Sequence, residues 1–262
     1  MSTIGFIGTG SMGSALARAA AKGGWDEILL ANKTRAKAEA LAAQIGGTVT
    51  DNVTAAERAD YLMLGVEPAQ IPGVIACIRE TLEERPKKPL VVSMAAGVTL
   101  DTLHECLGGS APVLRIMPNI PAAVGAGVIL YTAGTDVEQE RINAFLAGMA
   151  AAGEFVPIEE SRFKAASGVS GCGPAFAAMF AEALADGAVA CGVPRTEAKR
   201  LAALTMLGSA KLLLDAPADP AELKDLVCSP GGSTIQGVRA LENGGFRAAV
   251  MEAVIATFEK RF

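Results

Sequence analysis

Hydrophobic positions in the first part of the chain fall into short, nearly continuous runs, each followed by a longer stretch with apolar residues at helical spacing. The runs are residues 4–7, 27–31, Thr48–Thr50, 61–66, Leu90–Ser93, Val113–Met117, 128–131 and 154–156. The intervening helical stretches are residues 14–22, 36–45, 71–83, Leu100–Leu107 and 137–149, with residues 52–59 leading into the fourth run. Runs without polar alternation suit strands covered on both faces, and their alternation with helices predicts a doubly wound, mostly parallel sheet. In such a sheet ligands lie beyond the carboxyl ends of the strands. Turn-forming, small or polar residues stand there: Glu67-Pro68-Ala69-Gln70, Ala95-Ala96-Gly97 and Pro118-Asn119-Ile120-Pro121.

From Ser161 onward strand signals stop. Helical residues 162–166 and a turn over residues 167–173 lead to a long helix with Pro174 in its first turn, ending near Cys191. Helices over 195–214, 221–227, 234–242 and 246–262 follow. The expected organisation is an α/β domain over residues 1–158 and an all-helical domain over residues 159–262, with the substrate cleft where they meet.

Chemistry enters at the turn after the first run. Gly8-Thr9-Gly10-Ser11-Met12-Gly13 joins that run to a helix rich in small residues. Gly8 permits a tight turn, Gly10 allows backbone to approach a pyrophosphate, and Gly13 lets helix and strand pack closely, so the first domain is Rossmann-like. An NAD-selective site usually has Asp or Glu about 20 residues past the glycines, on the ribose 2′-hydroxyl. Here that neighbourhood reads Asn32-Lys33-Thr34-Arg35, whose amide, hydroxyl and cations accept a 2′-phosphate. NADPH is the expected cofactor, with NADH as the second candidate.

A second glycine-rich segment, Ser229-Pro230-Gly231-Gly232-Ser233-Thr234, opens the helix over residues 234–242. Glycines and hydroxyls without an acidic side chain leave the backbone N–H groups and the dipole of the helix start available to a small anion, without a Lys or Arg. The same segment also suits an ordinary helix cap.

Composition narrows the chemistry. The chain has 262 residues, 51% hydrophobic, enough for a sizeable core in one large or two smaller domains. Aromatic residues make up only 5%, and the alanine-rich helices imply close packing and extensive subunit contacts. A formal net charge of -5 and the lack of a basic patch interleaved with aromatics argue against nucleic acid. The longest uncharged run, residues 116–135, is broken by Pro118, Asn119 and Pro121, and Met1-Ser2-Thr3 leads straight into the first run, so no membrane span or targeting segment is expected and the location is cytoplasmic. Five cysteines, Cys77, Cys106, Cys172, Cys191 and Cys228, show no CxxC spacing and are expected to be reduced and mostly buried. His104 is the single histidine, so neither a zinc site nor a Ser-His-Asp triad is expected, and no metal.

Five motifs, in order, carry a family resemblance: Phe6-Ile7-Gly8-x-Gly10-x-Met12-Gly13, Ser93-Met94-Ala95-Ala96-Gly97-Val98, Arg115-Ile116-Met117-Pro118-Asn119-Ile120-Pro121, Ser170-Gly171-Cys172-Gly173-Pro174-Ala175-Phe176 and the segment from Ser229 to Thr234. With these the chain resembles pyrroline-5-carboxylate reductases along nearly its full length. The resemblance implies NAD(P)H-dependent reduction of the cyclic imine 1-pyrroline-5-carboxylate to L-proline, the last step of proline biosynthesis. It implies that the Ser229 hydroxyl and the backbone N–H groups of Gly232, Ser233 and Thr234, with Gly231 in the loop, hold the substrate carboxylate. Thr234 is implied as the catalytic residue that orients the ring nitrogen.

On the cofactor side the resemblance assigns Gly8, Thr9, Gly10, Ser11, Met12 and Gly13 to the pyrophosphate, and Asn32, Lys33, Thr34 and Asn52 to the adenosine end. Asn52 also reads as a helix cap. Val66, Glu67, Pro68, Ala95, Ala96, Gly97 and Asn119 would border the ribose and nicotinamide. The resemblance further implies a homodimer formed through the helical domain, assembled into a ring of dimers. Two departures stand out. Glu67 occupies a position where lysine is common, which works against a phosphorylated cofactor, and Cys172 and Phe176 replace a hydroxyl and a phenol. The alternatives are a β-hydroxyacid-type dehydrogenase, which would need a lysine near Gly171-Cys172-Gly173-Pro174, and a non-catalytic NADP-binding regulator, which would not need a carboxylate socket.

Overall fold

The computed structural model describes residues 2–215 and 219–259. The chain separates into two compact units, one ending at Gly171 and the other beginning at Cys172. The first unit comprises β1 (Thr3–Ile7), α1 (Ser11–Ala20), β2 (Glu27–Ala31), α2 (Arg35–Ile45), β3 (Thr48–Thr50), α3 (Asn52–Arg58), β4 (Tyr61–Leu64) and α4 (Ile71–Glu84). It continues with β5 (Leu90–Ser93), α5 (Leu100–Leu107), β6 (Val113–Met117), β7 (Gly127–Ala133), α6 (Gln139–Met149), β8 (Gly153–Pro157) and α7 (Glu160–Ser170). These strands form one eight-stranded sheet in the order β3-β2-β1-β4-β5-β6-β7-β8.

The strands from β3 to β6 run parallel, with Ile7 opposite both Ala31 and Leu64, and Ser93 opposite Arg115. Their carboxyl ends therefore line one edge. β7 returns antiparallel to β6, and β8 runs parallel to β7. The physical reason is connection length: residues 118–126, which include the 3-10 turn Ile120–Val124, are fewer than the dozen or so that a parallel crossover needs.

Side-chain alternation splits the core between the two faces of the sheet. Phe6, Leu30, Met63, Val92, Leu114 and Ile116 pack with Leu16, Leu41, Phe145 and Met149 on one side. Ile7, Ala31, Leu62, Leu64, Val91 and Val113 pack with Ile75, Ile78, Leu82, Leu103 and Leu107 on the other. Single residues close the helix ends at the opposite edge of the sheet. Arg85 donates to the carbonyls of Ala56 and Ala59 at 2.6 and 2.7 Å, and Lys88 donates to those of Leu82 and Glu83, both at 2.7 Å, so cations meet the negative ends of α3 and α4.

Several expectations need correction. α1 begins at Ser11 rather than Ser14, which places Ser11, Met12 and Gly13 in its first turn. The expected turn over residues 167–173 is mostly helix, since α7 runs to Ser170 and only Gly171 and Cys172 separate it from the next helix. None of the five cysteines is buried: Cys77 and Cys191 are exposed and the other three half-buried, all free thiols.

The second unit contains α8 (Gly173–Ala190), α9 (Arg195–Asp215), α10 (Pro220–Val227), α11 (Ser233–Asn243) and α12 (Phe246–Glu259). The last helix was expected to reach Phe262, and residues 260–262 lie outside the described residues. α8 and α9 pack through Ala185, Ala198 and Ala202, which are the buried apolar side chains of this unit among the described residues. Leu204, Leu207, Leu226 and Met251 are more than half exposed. Three alanines bury too little apolar surface to hold five helices together.

At the amino-terminal edge of the sheet, Asp60 accepts the Thr3 N–H and the Lys87 ammonium, each at 3.0 Å. Burial pushes its carboxyl pKa up, but these two donors outweigh it and hold the value below the ordinary aspartate range. A depressed folded-state pKa contributes stability that is present above the unfolded-state value and lost as pH falls through the folded one. Asp60→Asn is expected to cost about 1–2 kcal/mol at neutral pH. Denaturant unfolding should show that difference shrinking as the pH drops below about 4.

Candidate active site

The glycine turn after β1 is built by contacts that only glycine permits. Gly8 has φ +98°, and a Cβ there would lie 2.6 Å from the carbonyl oxygen of Gly65, just past the end of β4. A Cβ on Gly13 would collide with the carbonyl oxygen of Gly8. Gly10 differs, because a Cβ there meets nothing within 4 Å. Gly8 and Gly13 are thus required by the fold, whereas the space over Gly10 is left open. Gly10 caps α1 with no side-chain hydrogen bond, and the first turn holds no acid, so the N–H groups of Ser11, Met12 and Gly13 face outward without intrahelical partners.

Two side chains pin this loop. The Thr9 N–H donates to Asn32 Oδ1 at 3.0 Å, and the Thr9 carbonyl accepts from Ser14 Oγ at 2.8 Å. Asn32 Nδ2 donates to the Thr34 carbonyl at 3.0 Å, so one amide ties the glycine loop to the end of β2. Asn32, expected beside the adenosine ribose, has its side-chain oxygen bonded to the glycine loop. Ser14 escaped the sequence reading, although a hydroxyl one turn into a helix after a glycine loop is a recurrent backbone tie. The Thr9 hydroxyl is buried without a hydrogen-bond partner, an unmet polar group within the glycine turn.

Past β2, Lys33, Thr34 and Arg35 are exposed. Thr34 caps α2, but its hydroxyl makes no capping bond and the first turn lacks an acid. Arg35 pairs with Glu39 at 2.9 Å on the open surface, where such a pair is worth little. Asn52 is not the cap of α3: that role falls to Asp51, whose Oδ1 accepts the Thr54 N–H at 2.8 Å and whose pKa this bond lowers. The half-buried Asn52 side chain, beyond β3, is left free of cap duty.

At the next strand ends, Val66 lies against Gly8, and Glu67 is exposed, its N–H donating to Gln70 Oε1 at 3.2 Å ahead of Pro68. Ala95 is buried, its N–H donating to the Ser93 hydroxyl at 3.3 Å, and Gly97 turns the chain with φ +77° beside Ala96. Asn119 is 6% exposed. Its Nδ2 donates to the Ser170 carbonyl at 2.8 Å and its Oδ1 accepts the Val128 N–H at 2.9 Å, so the Asn119 side chain joins the end of β6 to β7 and α7.

In the second unit, Gly231 adopts φ +72° and Gly232 caps α11, again without a side-chain bond and without an acid in the first turn. The Gly232 N–H donates to the Ser229 carbonyl at 3.0 Å, which corrects the expected trio of donors to those of Ser233 and Thr234. A Cβ on Gly232 would strike the Ser229 hydroxyl, so that hydroxyl leans over the helix start. Thr234, two positions after Gly232, is exposed. α3, α5 and α10 carry side-chain caps from Asp51, Thr99 and Asp219, whereas α1 and α11 start from glycine caps with no side-chain bond and no acid in the first turn. A groove of about 700 Å³ between α8 and α9, lined by Met179, Glu182, Asp186, Arg195 and Lys199, contains none of the expected site residues. Among the described residues no His, Cys, Asp and Glu cluster could hold a metal ion.

Residues 160–261 match a family model described as pyrroline-5-carboxylate reductase dimerisation, and residues 3–97 match NADP oxidoreductase coenzyme F420-dependent. A pyrroline-5-carboxylate reductase of Methanosarcina acetivorans is 41% identical over 261 residues, spanning 98% of this chain and 96% of the relative. The solved structure of a pyrroline-5-carboxylate reductase from Coxiella burnetii is similar with a TM-score of 0.90 at 31% identity, covering 98% of this chain and 96% of the other. A Plasmodium falciparum pyrroline carboxylate reductase with NADP bound is similar with a TM-score of 0.85 at 29% identity, covering 98% and 95%.

The glycine geometry predicts opposite consequences for two small substitutions. Gly10→Ala should leave stability within about 0.5 kcal/mol and weaken dinucleotide binding at least about tenfold, because its methyl enters the open space. Gly13→Ala should lower stability by about 1–3 kcal/mol through overpacking. Thermal unfolding and a fluorescence titration with NADPH measure both.

Proposed function

The chain belongs to the pyrroline-5-carboxylate reductase family, and we propose that it reduces the C=N bond of 1-pyrroline-5-carboxylate to L-proline with NADPH, the last step of proline biosynthesis. The observation that carries this reading is the pair of glycine-capped, acid-free helix starts, one following a buried parallel strand and the other opening α11. The first suits a pyrophosphate and the second a small carboxylate. When bound, NADPH supplies the hydride.

The residues fit that cofactor. The outward N–H groups after Gly10 and the space above it receive the pyrophosphate, with Thr9, Ser11, Met12 and Gly13 forming the cradle. Lys33, Thr34 and Arg35 take the 2′-phosphate, and Asn52 borders the adenosine end. Val66, Glu67 and Pro68, with Ala95, Ala96 and Gly97, border the nicotinamide half beyond β4 and β5. Asn32 and Asn119 act there as ties that shape the loops.

On the substrate side, the Ser229 hydroxyl and the N–H groups of Ser233 and Thr234 hold the carboxylate, with Gly231 supplying the turn. The Thr234 hydroxyl accepts from or donates to the ring nitrogen and sets the plane of the ring. A protonated imine is already electrophilic, so fixing its carbon within about 3–3.5 Å of a hydride donor supplies much of the rate. No histidine is needed, in keeping with the single His104, which stands on α5 with Asp136 4.0 Å away. α8 contains no lysine, the group a hydroxyacid dehydrogenase would require.

The protein is an oligomer, and in this reading a homodimer formed through residues 160–261, with dimers arranged in a ring. Glu160–Ala190 is long and apolar enough to cross a membrane by length and composition, and 17% of its most apolar window is buried. A second copy of the chain, rather than lipid or nucleic acid, covers that surface and the exposed leucines of α9, and the enzyme works in the cytoplasm.

Purified protein should oxidise NADPH on addition of 1-pyrroline-5-carboxylate and not on addition of hydroxy acids, and lack of turnover with the imine overturns the assignment. Thr234→Ala should cut kcat or raise the substrate KM by about 10–100-fold with NADPH affinity unchanged, since it removes only a group positioning the ring. Lys33→Ala combined with Arg35→Ala should raise the KM for NADPH at least about tenfold more than that for NADH, because only NADPH carries the 2′-phosphate.

A further inference from the structure

Arg115 belongs to none of the contacts assigned above, yet it is nearly buried, its side chain 9% exposed. Its Nη1 lies 2.5 Å from Glu160 Oε1, and its guanidinium sits 4.1 Å from the centre of the Phe163 ring. The same Glu160 oxygen accepts the backbone N–H of Leu100 at 3.1 Å. Leu100 is the first residue of α5, and Glu160 the first of α7.

These contacts close a ring. Ser93, the last residue of β5, is paired with Arg115 in the sheet. From Ser93 the chain runs through residues 94–99, which include Ala95, Ala96 and Gly97, and re-enters regular structure at Leu100. Leu100 is held by Glu160, and Glu160 by Arg115. Arg115 thus anchors the start of the loop through the β-ladder and its end through one carboxylate. The loop is also tied at its two ends, where Met94 N–H donates to the Leu64 carbonyl at 3.2 Å and Thr99 Oγ1 caps α5 by accepting the Thr102 N–H at 3.2 Å. Between them residues 95–98 have only the short ties from Ala95 N–H to Ser93 Oγ at 3.3 Å and from Val98 N–H to the Ala95 carbonyl at 3.4 Å.

The pair is poorly suited to a purely stabilising role. Glu160 is only half-buried, yet Arg115 Nε and Glu160 Oε2 are shielded atoms without hydrogen-bond partners, and a partly buried ion pair with unmet polar atoms gains little over apolar packing. What it does provide is a fixed distance from the middle of β6, beside the end of β5, to the starts of α5 and α7. We propose that Arg115 and Glu160 are positioning residues for the loop of residues 94–99, setting how Ala95, Ala96 and Gly97 meet the nicotinamide half of the cofactor. The proposal rests on the functional reading above for the identity of that ligand, and on the ring of contacts for the mechanics.

The test uses the full-length protein with Arg115→Met combined with Glu160→Gln, a change that leaves no uncompensated buried charge, and with Glu160→Gln alone. Three quantities are read: amide hydrogen exchange across residues 94–99 without cofactor, affinity for 2′,5′-ADP as a probe of the adenosine end, and kcat with NADPH and 1-pyrroline-5-carboxylate. Loss of the brace should speed exchange in residues 94–99 about tenfold or more while α1 keeps its protection, because only a local opening is made easier. Affinity for 2′,5′-ADP should stay within about twofold and kcat should fall about 10–100-fold, the range expected when a reacting group is misplaced by about an ångström. Unchanged kcat in either folded variant, or an equal loss of 2′,5′-ADP affinity, overturns the proposal. If the double variant does not fold, Glu160→Gln decides by the same readings. If the unmodified protein fails to reduce the imine, the functional reading falls, while exchange and 2′,5′-ADP binding still judge the brace.

Discussion

At the carboxyl ends of β1 and β4 three glycines approach so closely that no side chain fits between them. Added Cβ atoms on Gly8 and Gly65 would each lie 2.6 Å from the other's carbonyl oxygen, and one on Gly13 would run into that of Gly8. This contact brings the start of α1 directly over the sheet edge where the strand order reverses, the place at which an open α/β sheet has a crevice for a ligand. Direction of the exposed N–H groups, openness above Gly10 and access to the end of β2 all follow from it.

The same economy recurs at α11. A glycine cap and an acid-free first turn leave backbone N–H groups and the helix dipole uncompensated there, a feature that favours anions even in a chain with a formal net charge of -5. In the proposed reading Thr234, at the second helical position, is the hydroxyl that orients the ring. For an imine that is electrophilic once protonated, orientation replaces much of the acid-base machinery that a carbonyl reduction would demand.

Stability and assembly follow a different logic in the two units. The first buries a continuous two-faced core and seals its helix ends with Arg85 and Lys88. The second packs α8 against α9 through alanines and leaves Leu204, Leu207 and Leu226 facing solvent. A helical unit with so little of its apolar surface buried depends on a second copy, which gives physical content to the dimerisation model matching residues 160–261.

By itself the sequence determined the features that depend on neighbours along the chain. The apolar runs marked the strands, including the observed limits of Glu27–Ala31, Leu90–Ser93 and Val113–Met117, and the glycine segments marked the turns that open α1 and α11, because periodicity and turn chemistry are local, though α1 starts three residues earlier than periodicity placed it. Only the tertiary structure decided what the polar side chains near those starts are committed to. Asn32 binds Thr9 across 23 residues, Asn119 binds Ser170 across 51, and Arg115 meets Glu160 across 45. The direction of β7 likewise depended on how far a short connection could carry the chain. A buried hydrogen-bonding group takes whatever partner the fold brings within about 3 Å, and partners that far apart in sequence leave no periodic trace for a reader of the chain alone.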